Sequence, residues 1–67
     1  MPDTDRRSRT ELLADAAKAR REAERHRVAA AIVNDEVVEQ TLRARAKELT
    51  SLAEMLEARA AKLASLS

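Results

Sequence analysis

The chain has no glycine, no cysteine and no phenylalanine, tyrosine or tryptophan, and its one proline is residue 2. Without cysteine there is no disulfide and no thiolate to act as nucleophile or ligand, and the absence fits a reducing compartment. Without glycine, no loop of the kind that cradles a phosphate can be written. Without aromatic rings, no aromatic side chain is present to stack on a nucleic-acid base. No apolar run approaches the roughly 20 residues that cross a bilayer. The opening MPDTDRRSRT lacks the apolar core of a signal peptide, so the expected location is the cytoplasm, with no membrane partner. No stretch alternates with the period of two that marks a strand.

What remains is rich in alanine, with leucine, glutamate and arginine behind it, a composition that reads as long helix or coiled coil. Leu42, Leu49, Leu56 and Leu63 recur every seven residues, with Ala46, Ala53 and Ala60 between them at the same period. Together they form the four-three alternation of a helix that packs on another helix. A second, thinner seam runs through Leu12, Ala16, Ala19, Ala23, His26, Ala30 and Val33. Alanine favours the helix and buries little area, but it lets two backbones approach closely.

The two seams do not share a frame. Continued toward the C-terminus, the first-half seam would use Val37, Gln40, Ala44, Lys47, Ser51 and Glu54, and it fails. Continued toward the N-terminus, the second-half seam would use Glu39 and Asp35, and it also fails. The phase changes at Asn34-Asp35-Glu36. Asn tolerates the left-handed conformation that closes a helix, and Asn or Asp can cap the next one. The expected organisation is therefore a segment of frayed chain over 1–7 and one domain over 8–66, with a helix at 8–33, a turn near 34–35 and a helix at 35–65. Ser8 and Glu11 match a capping box at the start of the first helix. The competing arrangement is one continuous helix of about 90 Å, at about 1.5 Å per residue.

The expected fold class is all-α, a two-helix antiparallel hairpin assembling as a dimeric four-helix bundle. A monomer of 67 residues rarely builds a sufficient core without a staple. Leu52 and Leu66 widen the stripe of the second helix beyond a two-stranded seam, and Leu63 and Leu66 reach past the useful end of the first. The candidate interface, to a second copy or to an unidentified protein partner, is Leu12, Ala16, Ala23, Leu42, Ala46, Leu49, Leu52, Ala53, Leu56, Ala60, Leu63 and Leu66.

No enzyme is expected, because one histidine and no cysteine leave no catalytic arrangement to propose. No metal and no cofactor are expected either. The Glu-x-x-His of carboxylate-bridged bundles is missing, since Ala23 stands three residues before His26. The function expected is protein–protein interaction: self-association, regulation of a partner protein, or both. The competing function is a nucleic-acid-binding regulator. Up to Val33 there are eight basic against six acidic residues, and Arg20, Arg21, Arg25 and Arg27 are the candidate phosphate contacts. In length and shape such a hairpin is similar to small plasmid-encoded RNA-binding hairpins that dimerise into four-helix bundles, with no residue motif in common. Residues 43–48, RARAKE, resemble a segment of the mitochondrial ATP synthase inhibitor family. The match covers six residues, and Thr41-Leu42 stand where that family has an aromatic pair, so it assigns neither a family nor a partner.

Overall fold

The computed structural model describes residues 8–66, with the side chain of Leu66 excepted; the expected frayed segment 1–7 lies outside them. Two helices, α1 (Arg9–Ile32) and α2 (Glu36–Leu66), pack against each other as a hairpin. The continuous 90 Å helix is thus replaced by a body of 49 × 23 × 13 Å. No helix among the described residues is long and apolar enough to cross a membrane.

Local chemistry sets the ends. Ser8 Oγ accepts from the Glu11 N–H at 3.1 Å, and the Glu11 carboxylate accepts from the Ser8 N–H at 3.0 Å. This reciprocal box satisfies two of the amides that a helix start leaves open. At the other end of α1 the chain leaves the helix through Val33, with φ −76° and ψ 142°, whose N–H still reaches the Ala29 carbonyl at 3.0 Å. Asp35 then starts α2. Its Oδ1 accepts from the N–H groups of Val37 and Val38 at 2.9 and 3.1 Å, and its carbonyl accepts from Glu39. Glu36 and Glu39 add negative charge where the helix dipole is positive.

One expectation about the turn needs correction. No described residue has a positive φ, so Asn34 does not close α1 in the left-handed conformation. The extended Val33 and the Asp35 cap reverse the chain without it, which is how a glycine-free connection is made. The three residues between the helices are 33–35.

Both seams face inward. The buried residues of α1 are Leu12, Ala16, Ala19, Ala23 and Ala30, and those of α2 are Ala46, Leu49, Ala53, Leu56 and Ala60. Three leucines and seven alanines make this core. The helix packing therefore rests on close approach of small side chains through the middle, with the larger residues placed at intervals.

Candidate interaction surface

Among the polar links that cross from α1 to α2, those of Arg20 and Arg27 lie on the same flank of the seam. Arg20 Nε and Nη2 donate to the two Glu57 carboxylate oxygens at 2.8 and 2.6 Å, a bidentate pair. Arg27 Nη1 approaches Thr50 Oγ1 at 3.5 Å while the Thr50 hydroxyl donates to the Ala46 carbonyl at 3.0 Å. Arg20 and Arg27 are seven residues apart, and their partners Glu57 and Thr50 are seven apart in the reverse order, which is the antiparallel register. The hydrogen bond from Arg20 holds the Glu57 carboxyl below its ordinary range, and the same bond raises the Arg20 guanidinium. The bridge is therefore formed at neutral pH, and its contribution is lost as pH falls through the lowered Glu57 pKa.

Arg20 would meet Glu24 at i,i+4, yet it reaches across to Glu57, and Glu24 pairs with Arg27 at 3.4 Å. The reason is position: Arg20 borders the seam, one residue after Ala19 and three before Ala23, which places the partner helix within its reach. Elsewhere local pairs do form, Glu39–Arg43 at 3.0 Å and Arg45–Glu48 at 3.2 Å. Each is exposed and worth some tenths of a kcal/mol.

The opposite flank has a different character. There an open groove is lined by Asp15, Lys18, Ala19 and Glu22 of α1 and by Leu49, Leu52 and Leu56 of α2. Its floor is apolar: Leu49 and Leu56 dip into the core, and Leu52 stands beside them 41% exposed. Met55 and Leu63, at 53% and 39% exposed, continue the apolar surface along α2. Arg45 and Arg59 lie seven residues before and after Leu52, in the same row of the helix. The α1 side of the groove is charged at Asp15, Lys18 and Glu22, and along α2 Arg45 and Arg59 flank Leu52 in its row, with Glu48 paired to Arg45. These charged residues were absent from the sequence-derived interface set. Asp15, Glu22, Arg45 and Arg59 occupy positions next to the seam, where coiled coils carry their partner-selecting charges, and that position is the signal that marks them.

The candidate interface residues divide accordingly. Leu12, Ala16, Ala23, Ala46, Leu49, Ala53, Leu56 and Ala60 are buried between α1 and α2 of one chain. Leu42 is half-buried near the turn, and Leu52 and Leu63 are exposed. The Leu66 side chain lies outside the described set. Of the candidate phosphate contacts, Arg20 and Arg27 are engaged within the hairpin, while Arg21 and Arg25 are exposed and carry no ion pair among the described residues.

His26 is half-buried, with Nδ1 2.7 Å from the Glu22 carbonyl oxygen. That oxygen can only accept, so Nδ1 carries the ring proton and donates it. Among the described residues no group of three or more histidine and carboxylate side chains is arranged to hold a metal ion. No family model matches the chain, and no curated protein and no solved structure is significantly similar to it.

Proposed function

We propose that this chain is a non-enzymatic interaction module that works by self-association, with the groove flank of the hairpin as its docking face. The observation that carries the reading is the single helical layer. At 49 × 23 × 13 Å the body is one helix thick, so the groove with Leu52, Met55 and Leu63 has no covering element among the described residues. A layer of two helices buries one stripe of each helix and leaves the second stripe for a partner. The usual way to cover it is a second two-helix layer, giving four helices around one core.

A substitution at Leu52 tests this. Leu52 is 41% exposed within one chain, so Leu52→Glu leaves the hairpin core in place. The wild-type chain should sediment as a dimer across a concentration series, and Leu52→Glu should run as a monomer with its helix content retained. A wild-type chain that is monomeric throughout, or a Leu52→Glu chain that keeps the dimer mass, overturns the reading.

A second reading, nucleic-acid binding, is favoured by one observation: Arg21 and Arg25 are exposed and carry no ion pair among the described residues. Against it, Arg20 and Arg27 are held within the hairpin, and Glu22 and Glu24 are interleaved. It requires binding that falls steeply with salt and is lost when Arg21 and Arg25 are neutralised.

A further inference from the structure

We infer that the flank opposite the groove holds a binding site for a phosphate group, either the free ion or the head of a small phosphomonoester. The inference does not depend on self-association, because the lining of this site and that of the groove have no residue in common.

Three cations from two helices meet at the site. An open pocket of about 280 Å³ is lined by Arg27 of α1 and by Arg43, Ala46, Lys47 and Thr50 of α2. No carboxylate is among these lining residues. The register of the hairpin accounts for the excess. Arg20 meets Glu57 across the helices at 2.8 and 2.6 Å. Seven residues nearer the turn on each helix, Arg27 repeats Arg20, but Thr50 takes the place of Glu57. Seven further on α2 comes Arg43. The carboxylate of a second cross-helix bridge is thus replaced by a hydroxyl, and the next position adds another cation.

Much of the donor capacity at the pocket is unspent. Arg27 reaches Thr50 and Glu24 at 3.5 and 3.4 Å, longer than the roughly 2.7–2.9 Å of a good charge-assisted bond. Its Nη2 makes no bond among the described residues. Arg43 gives only Nε to Glu39, at 3.0 Å, which leaves both of its Nη groups. Lys47 has no ion pair among the described residues. Glu24 and Glu39 hold the Nε edges of the two arginines from outside the lining, so the positive excess is at the pocket itself. A guanidinium fork matches two phosphate oxygens, and an ammonium supplies a point charge for a third. Liquid water takes about 30 Å³ per molecule, so the pocket has room for a tetrahedral oxyanion with part of its hydration shell.

The test is a titration of the full chain with inorganic phosphate, followed by amide NMR spectra. Ionic strength is fixed at about 0.15 M with chloride as the balancing anion. Shifts should cluster at residues 27, 43, 46, 47 and 50 and saturate in the millimolar range. Glycerol phosphate, run alongside, separates the sources: the same saturating shifts identify an ester's phosphate as a ligand, and a response to inorganic phosphate alone assigns the free ion. Arg27→Gln and Arg43→Gln should each weaken binding about tenfold, the loss of one charge-assisted bond. Both side chains are about half exposed, at 45% and 53%, so the fold is retained. Arg21→Gln removes the same charge from an exposed position outside the pocket and should leave the affinity unchanged. Shifts that stay linear in phosphate, or an Arg21→Gln loss equal to that of Arg27→Gln, mean that phosphate senses only the diffuse charge of the surface and overturn the inference.

Discussion

Leu56→Ala should cost the hairpin about 2–5 kcal/mol, the usual range for emptying a buried leucine site. Leu56 and Leu49 are each 7% exposed, and with Leu12 they are the only side chains larger than alanine among the buried described residues. For 67 residues a total stability on the order of 3–10 kcal/mol is typical. One such truncation therefore removes a large share of it, and the Leu49→Ala Leu56→Ala double variant should be unfolded at room temperature. Denaturant titration followed by helix ellipticity reads the effect. If the single variant loses under about 1 kcal/mol, Leu56 is not clamped between the helices and the seam is misplaced.

The second large effect comes from adding volume. Ala23 and Ala53 are each 0% exposed, and their size lets α1 and α2 lie close together. Ala23→Leu forces the helices apart or strains the side chain, at a cost of about 1–3 kcal/mol or more. Ala44, exposed on α2, is the control: Ala44→Leu should stay within about 0.5 kcal/mol of wild type. Equal effects at the two positions would mean that alanine is there for helix propensity alone. A drop confined to Ala23→Leu identifies close approach as what alanine contributes at that site.

Much of this fold is legible before any coordinates are seen, for identifiable reasons. The seam through Ala16 and Ala23 and the one through Ala46 and Ala53 have a regular period and incompatible frames, and two helices with a break between them satisfy both. Asp35 and the Ser8–Glu11 box are read correctly because capping depends on residues a few positions apart. Asn34 is misread because its tolerance of the left-handed region is a preference, and an extended Val33 with a strong cap beyond it reverses the chain equally well. The Arg20–Glu57 bridge is not legible because spacing along one helix says nothing about what the neighbouring helix places within reach. The groove is hidden for the same reason. Its lining comes from residues on two helices, 15, 18, 19 and 22 on one and 49, 52 and 56 on the other, and they become neighbours only when the rotation of each helix about its axis is known. Partner chemistry is harder still, since exposed Glu, Arg and Lys on a helix are equally at home in water.

The uneven distribution of the core also has a kinetic side. Leu12 and Leu56 lie toward the open end of the hairpin and Leu49 near its middle, while Ala23, Ala30 and Ala46 fill the end beside the turn. Joining residues far apart in the chain adds only about 0.6 kcal/mol for each doubling of the loop. Burying a leucine returns about 1.5–3 kcal/mol. The wide loop is thus a smaller obstacle than burial of the leucines is an incentive. The expected order therefore starts at the leucines, with the alanine-lined end beside the turn closing afterwards; a φ-value near zero for Leu56→Ala would rule it out.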